Sequence, residues 1–165
     1  MPTSTQLHNG PILDEFRKLS QEVEYNKIIS RIFDRDFSVW MESPKEISNR
    51  LDWLNSPTDM LEKTSEIIKF VDSLKEDGIE KALLLGIGGS SLAPEVYAKI
   101  FGRKNDFLEL HILDSTVPEA IMETAETFDP AKTVYMVSTK SGTTVETISL
   151  LEFFYNDVVE KLGDE

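Results

Sequence analysis

Two clusters of small polar residues carry the chemistry that this sequence can offer. Residues 86–91 (GIGGSS) combine glycines with two hydroxyls, and residues 138–144 (STKSGTT) hold six hydroxyl or amine side chains in seven positions. Glycines let a backbone approach an oxyanion without obstruction by Cβ, and amides at a helix start carry about half a positive charge. Such a density of short donors suits the oxygens of a terminal phosphate.

Each cluster follows a short apolar run and precedes a helical pattern. The apolar runs are residues 81–86, 108–113 and 133–138, and helix-period positions follow each of them. This alternation is typical of βαβ units, and the consecutive apolar positions of the first run predict an interior parallel strand. The sequence therefore predicts an α/β fold with a doubly wound parallel sheet. Ligands bind beyond the carboxyl ends of such strands, where both clusters lie.

The first half of the chain has a different hydrophobic pattern. Residues 12–77 carry apolar residues at helical spacing between charged ones, as amphipathic helices require. The stretch from Asp34 to Pro57 indicates a short helix between irregular connections, with the next helix capped at Thr58 or Asp59 and stopped by Gly78. We therefore predict an N-terminal helical segment, residues 1–78, followed by an α/β domain over residues 79–165.

Charge and composition exclude several classes of partner. The 165 residues carry a formal net charge of −13, which repels polyanions, so neither nucleic acid nor an acidic membrane is an expected partner. Cysteine is absent, which excludes disulfides. Because no apolar run reaches the roughly 20 residues that span a bilayer and no secretory signal is visible, a cytoplasmic protein is expected. No metal-ligand spacing occurs, and no cofactor is expected.

Three segments together resemble a known family. The loops GIGGSSLAPEV (residues 86–96) and STKSGTTVET (residues 138–147) are similar to the two phosphosugar-binding turns of phosphoglucose isomerases. Residues 28–57 resemble the entry to the isomerase half of bifunctional transaldolase/phosphoglucose isomerases. The resemblance covers roughly residues 25–160, and it implies a SIS-type domain, a doubly wound sheet of the flavodoxin kind.

Carried over by position, the resemblance implies which residues contact a sugar phosphate. They are Gly89, Ser90, Thr139, Lys140, Ser141, Thr144 and, at the edge of the pocket, Thr147. The second loop has Gly142 where the family usually has an aromatic residue. The family's catalytic glutamate and arginine, and its ring-opening histidine and lysine, are expected downstream of this sequence. No catalytic residue is therefore assigned within it, and the α/β domain is expected to be incomplete at its C-terminus.

The resemblance implies a phosphate-binding portion of an aldose-ketose isomerase that interconverts glucose 6-phosphate and fructose 6-phosphate. A non-catalytic sugar-phosphate sensor that uses the same loops is the alternative, since the chain offers no convincing general base. A dinucleotide-binding domain is a third interpretation, because Gly86 and Gly88 follow a strand and Asp114 ends the next one. However, Ser91 replaces the third glycine of that fingerprint, and Asp114 lies nearly 30 residues beyond the first glycine rather than about 20.

Purely structural roles remain open for the same residues. Glycines after a parallel strand serve close strand-to-helix packing, and Thr143, Thr144 and Thr147 can act as caps of the last helix. Lys140 can be an ordinary solvated lysine whose role depends on its neighbours. The third strand would ordinarily receive a further strand, so its open edge predicts a homodimer or other self-association unless the last helix covers it.

Overall fold

The computed structural model describes residues 10–163. Helices α1 (Pro11–Tyr25), α2 (Ile28–Phe33) and α3 (Ser56–Glu76) come first, followed by β1 (Lys81–Leu85), α4 (Gly89–Phe101), β2 (Glu109–Leu113), α5 (Pro118–Thr127), β3 (Thr133–Val137) and α6 (Val145–Leu162). The chain divides into two compact units between Thr64 and Ser65, so α3 crosses the division. Among the described residues, no helix is both long and apolar enough to cross a membrane.

The first unit departs from the sequence prediction between α2 and α3. Instead of a single short helix, the described chain forms 3-10 helices over residues 37–39, 48–50 and 52–55. Asp36 caps the first of them, because its carboxylate accepts the backbone N–H of Ser38 at 3.0 Å and the Arg31 Nε–H at 2.7 Å. Hydrogen bonds from Ser38 and Arg31 lower the pKa of Asp36 to about 2.

Helix α3 begins two residues before the earlier of its predicted caps. Ser56 is already helical, and its hydroxyl donates to the Trp53 carbonyl at 2.7 Å. Pro57 fits the first turn because the N–H that it lacks would have no intrahelical acceptor there. The prediction of a cap at Thr58 or Asp59 was therefore wrong. The predicted stop agrees with the structure, since the helix ends at Glu76 and Gly78 takes the left-handed φ of 83°.

The second unit contains a parallel sheet in the order β2-β1-β3. The first strand is central, and Leu83 of β1 lies between His111 of β2 and Tyr135 of β3 in the register. The chain thus crosses to one side of β1 for β2 and to the other side for β3, as in doubly wound sheets. The predicted α/β class, with helices before the sheet, is confirmed.

Apolar side chains of the central strand and of the last two helices form the core of this unit. The buried cluster consists of Leu83, Leu85, Leu113, Ala125, Phe128, Leu150 and Phe154. At the opposite end of the sheet from the polar loops, Lys132 Nζ donates to the Glu80 carboxylate at 2.7 Å. That ion pair joins the residues that precede β3 and β1, and it raises the pKa of Lys132.

Candidate functional site

The strand order brings the two polar loops together at the carboxyl ends of β1 and β3. Ser138, the residue after β3, donates its backbone N–H to the Leu85 carbonyl at 2.9 Å. Its hydroxyl donates to the Ser90 carbonyl at 3.4 Å. The loops after β1 and β3 therefore touch. They lie at the switch point of the sheet, where one connection from β1 runs to β2 on one side and the chain then places β3 on the other side. Ligands usually bind at this position in doubly wound folds.

Gly86 permits this close approach of the two loops. A Cβ built at Gly86 would lie 3.1 Å from the Ser138 carbonyl oxygen and 3.2 Å from the Ser138 Cβ. Those distances are shorter than ordinary van der Waals contact, so any larger residue would push the Ser138 backbone away. Of Gly86, Gly88 and Gly89, Gly86 is therefore the one whose lack of a side chain is needed for packing, and it packs against the residue after β3 rather than against a helix.

Gly88 shapes the start of α4. Its φ of 60° and ψ of −120° lie in a region that residues with a Cβ avoid, while the space in front of it is open. This turn lets α4 begin at Gly89. The Ser91 hydroxyl is buried and donates to the Gly88 carbonyl at 2.9 Å. At the start of α4, exposed Gly89 and half-buried Ser90 are therefore the residues that a ligand in solution could contact.

Hydrogen bonds within the second loop fix its hydroxyl groups in place. The Thr139 and Thr144 hydroxyls lie 3.1 Å apart, and the Gly142 amide donates to Thr139 Oγ1 at 3.2 Å. Ser141 Oγ accepts the Thr143 amide at 3.2 Å and the Thr143 hydroxyl at 3.1 Å. Because Ser141 already accepts twice, its own hydroxyl hydrogen is available to a ligand. Gly142 has a left-handed φ of 72°, which explains a glycine at this position.

The start of α6 adds amide donors to the same loop. The first backbone bond at this helix start runs from the Ile148 N–H to the Thr144 carbonyl at 3.0 Å. The amides of residues 145–147 therefore precede the helical hydrogen bonds and have no intrahelical acceptor. Thr144 occupies the cap position, but its hydroxyl is bonded to Thr139 and caps no helix amide. The alternative that Thr144 is simply a side-chain cap does not fit this geometry.

Thr147 differs from the other residues implied by the resemblance. Its side chain is 1% exposed, and its Oγ1 is buried with no hydrogen-bond partner among the described residues. It therefore does not cap the helix through its hydroxyl. By contrast, Thr139 and Thr144 are half-buried, while Lys140 and Ser141 are exposed. The structure thus brings Ser90 and the second loop together at the surface and places Thr147 one turn beneath it.

Two residues that support this arrangement lie outside the set implied by the resemblance. Ser138 links the loops through its amide and hydroxyl, and Gly86 makes room for it. Each of them directly follows one of two neighbouring parallel strands, and this position is the sequence signal from which their supporting role could have been predicted. No group of three or more His, Asp or Glu side chains in residues 10–163 is placed to hold a metal ion.

Comparison with known proteins identifies the family. A family model described as phosphoglucose isomerase matches residues 54–165, which include the whole sheet and both loops. The chain belongs to the phosphoglucose isomerase family. It is 32% identical over 122 residues to a glucose-6-phosphate isomerase of Thermus thermophilus. It is 30% identical over 128 residues to that of Carboxydothermus hydrogenoformans and over 81 residues to that of Saccharomyces cerevisiae.

These matches cover most of the chain but a small part of each relative. The Thermus match takes in 73% of this chain and 28% of the relative, and the Carboxydothermus match takes in 72% and 27%. A solved structure of a hypothetical protein from Thermus thermophilus superposes with a TM-score of 0.61 at 28% identity, covering 89% of this chain and 32% of that protein. The chain therefore corresponds to less than a third of the length of each of these three proteins.

Proposed function

We propose that this chain forms the phosphate-binding part of an aldose-ketose isomerase acting on glucose 6-phosphate and fructose 6-phosphate. The observation that carries the proposal is the contact between the loops after β1 and β3 at the switch point of the sheet. Family membership supports it, since the relatives are named glucose-6-phosphate isomerases. In this proposal Gly89, Ser90, Thr139, Ser141 and Thr144 face the phosphate, with the lysine of the second loop beside them.

The donors available at these loops match the needs of a phosphate group. Amides at the starts of α4 and α6 supply partial positive charge, and the Ser141 hydroxyl supplies a hydrogen that no described contact uses. Lys140 is the cation of the second loop, and it is exposed. Because the chain carries a net charge of −13, attraction of a dianion must come from these local donors rather than from the field of the whole protein.

The proposed role in the reaction is orientation. Ring opening and proton transfer between C1 and C2 take place at the far end of the sugar from the phosphate. Binding energy from a remote, non-reacting group can position the reacting carbons for the chemical step. A cytoplasmic enzyme with no cofactor is consistent with this proposal. The groups that transfer the proton are proposed to lie outside this chain.

A sensor that binds sugar phosphates without catalysis is the second candidate. The described residues of the two loops offer hydroxyls, amides and a lysine, and none of these is a base suited to proton abstraction from carbon near neutral pH. An isomerase assay of this chain beside a protein that also contains the remaining family length separates the candidates. The isomerase proposal predicts turnover only for the longer protein, whereas a sensor would show none for either.

A pair of alanine substitutions tests the phosphate contacts directly. We expect Ser141→Ala together with Thr144→Ala to weaken binding of glucose 6-phosphate by about 1–3 kcal/mol, the scale of a few charge-assisted hydrogen bonds. Calorimetric titration measures this affinity. A matched control, Ser149→Ala with Thr127→Ala, removes two exposed hydroxyls outside the loops and should leave the affinity unchanged. Equal weakening by both double variants, or unchanged affinity in the first, would contradict the assignment.

A further inference from the structure

Ser91 lies beneath the first loop and carries a buried hydroxyl that the proposed phosphate contacts do not use. The residue is 1% exposed, so a ligand in solution cannot touch it. Its hydroxyl donates to the Gly88 carbonyl at 2.9 Å. Burying a hydroxyl costs free energy unless the group is hydrogen-bonded. What Ser91 contributes beyond packing must therefore come from its bond to Gly88.

The Gly88 carbonyl is held in one direction by three donors. It accepts the backbone N–H groups of Ser91 at 3.0 Å and of Leu92 at 2.9 Å. The Ser91 hydroxyl is the third donor. All three belong to the first turn of α4, so the carbonyl points from the loop into the helix. The two amide bonds are those of an ordinary helix start, whereas the hydroxyl bond depends on the side chain at position 91.

The direction of this carbonyl fixes the direction of the next amide. Gly88 and Gly89 are joined by a planar trans peptide unit, in which C=O and N–H point to opposite sides. Because the Gly88 carbonyl points into α4, the Gly89 N–H points out of the helix start. It has no acceptor among the described residues. A Cβ built on either glycine would meet nothing within 4 Å, so the space beside this peptide unit is open to a ligand.

The same peptide unit is free to rotate unless something holds it. The chain turns over residues 87–90, and the Ser90 N–H donates to the Ile87 carbonyl at 3.3 Å. Gly88 has a φ of 60° and a ψ of −120°, the angles of the first central residue of a type II′ turn. Rotation of the central peptide unit converts this turn to type I′, which requires a positive φ at both central residues. Both are glycines here, so the rotated turn is sterically allowed.

Rotation would reverse the polarity that the first loop presents to a ligand. The Gly88 carbonyl oxygen would then point outward and the Gly89 N–H would point into the helix. A carbonyl oxygen carries partial negative charge and repels a phosphate. The Ser91 hydroxyl bond exists only in the turn that directs the Gly89 amide outward, so it favours the form that attracts an anion.

From the buried hydroxyl, the threefold bonding of one carbonyl and the two-glycine turn, we propose that Ser91 is a positioning residue for the phosphate site. It acts through the Gly88–Gly89 peptide unit and keeps the Gly89 amide turned towards the ligand. This inference rests on the proposed function, because the amide is oriented for the phosphate of the sugar. Of the two hydroxyls in the first loop, that of Ser90 contacts the ligand and that of Ser91 supports the turn.

Calorimetric titration with glucose 6-phosphate tests the proposal. We expect Ser91→Ala to weaken binding about fivefold, the effect of one hydrogen bond. Ser91→Thr keeps a hydroxyl and should bind more tightly than Ser91→Ala. Ser73→Ala is the matched control, since the Ser73 hydroxyl also donates to the carbonyl three residues earlier, at 2.8 Å on α3. That variant should bind as the unaltered chain does.

A second measurement needs no ligand and separates positioning from packing. NMR relaxation dispersion detects exchange on the microsecond-to-millisecond timescale, and Ser91→Ala should show it at the amides of Gly88 and Gly89. The unaltered chain and Ser73→Ala should not. A loss of packing alone would lower the free energy of unfolding without exchange confined to these two amides.

The outcomes also separate this proposal from the one on which it rests. If the unaltered chain binds glucose 6-phosphate and Ser91→Ala binds it equally well, positioning by Ser91 is wrong and phosphate binding stands. Equal weakening by Ser91→Ala and Ser73→Ala, or weakening by Ser91→Ala without exchange at Gly88 and Gly89, would likewise overturn the role of Ser91. An unaltered chain that is folded and does not bind would overturn both proposals.

Discussion

At the scale of single residues, Thr147 is the position where burial and hydrogen bonding conflict. A buried hydroxyl without a partner costs about 1–3 kcal/mol, and Thr147 Oγ1 has none among the described residues. We therefore expect Thr147→Val, which keeps the shape of the side chain, to leave the free energy of unfolding unchanged or to raise it by about 1 kcal/mol. Chemical denaturation without ligand measures this. A loss of stability would show that the hydroxyl has a partner.

The same substitution bears on the predicted phosphate contact of Thr147. If ligand binding supplies the missing partner, Thr147→Val should weaken glucose 6-phosphate although it does not destabilise the free chain. Unchanged affinity in calorimetry would assign Thr147 to packing alone. Ser149→Ala, an exposed hydroxyl two residues further along α6, serves as the control for both measurements.

The sequence identifies the surface residues of the candidate site better than the buried ones. The two loops follow from residue type and position after a parallel strand, whereas the choice of Ser90, Thr139 and Ser141 within them is what the family resemblance implies. The burial of Thr147 depends on which side of α6 packs against the core. The sequence does not determine that side, because Thr144 and Thr147 are the same residue type within one helical turn. The packing role of Gly86 depends on the 3.1 Å that would separate a Cβ at this position from the Ser138 carbonyl oxygen. That distance results from the pairing of β1 with β3, which the sequence alone does not show.

At the scale of elements, Asp36 makes the turn between α2 and the first 3-10 helix sensitive to acid. The pKa of Asp36 in the folded turn is about 2, below the value of about 3.9 for an unfolded chain. The carboxylate therefore stabilises the turn fully above about pH 4, and that contribution is lost as the pH falls towards 2. Salt also screens its pairing with Arg31, since both side chains are about one-third exposed.

NMR titration of the Ser38 amide proton measures this effect. The Ser38 N–H donates to the Asp36 carboxylate, so its shift should titrate with a midpoint near 2. Asp36→Asn should abolish that titration and remove the acid sensitivity of the turn. A midpoint near the ordinary value of 3.8 would show that the cap is not formed in solution.

Strand β3 is at an edge of the described sheet, and its amides should alternate in protection. Ser138 donates towards β1, so Val134 and Met136 also point to β1, while Tyr135 and Val137 point outward. In dilute solution we expect slow hydrogen exchange at Val134 and Met136 and fast exchange at Tyr135 and Val137. Strong protection at all four, independent of concentration, would mean that another part of the chain covers the edge.

The order of the elements follows from hydrophobic periodicity, whereas some of their boundaries do not. Alternating apolar runs and helical patterns predict the order of the elements, and the three predicted strands agree with β1, β2 and β3 to within one residue at each end. Helix α3 starts earlier than predicted, because Pro57 tolerates a first-turn position. The 3-10 helices between Asp34 and Ser56 depend on local side-chain bonds such as those of Asp36.

At the scale of the whole molecule, the central proposal is that the two loops act as one anion-binding surface. The sheet order places them in contact, and the helix starts behind them supply amide donors. The phosphoglucose isomerase family supplies a chemically consistent ligand, a phosphorylated sugar. If the glycines and threonines had only a structural role, the loops would keep this arrangement and would not bind a phosphorylated sugar. Binding of such a ligand therefore distinguishes the phosphate-binding role from the purely structural one.

Titration of the ¹⁵N-labelled chain with glucose 6-phosphate, followed amide by amide, is the most direct measurement. We predict saturable shifts at Gly89 and Ser90 and at residues 139–147, with glucose producing none, because the phosphate is the group that is bound. The amides of Glu80 and Lys132, at the opposite end of the same sheet, serve as an internal reference and should not shift. A folded chain in which neither loop responds at millimolar ligand, or in which glucose produces the same shifts, would contradict phosphate binding by these loops.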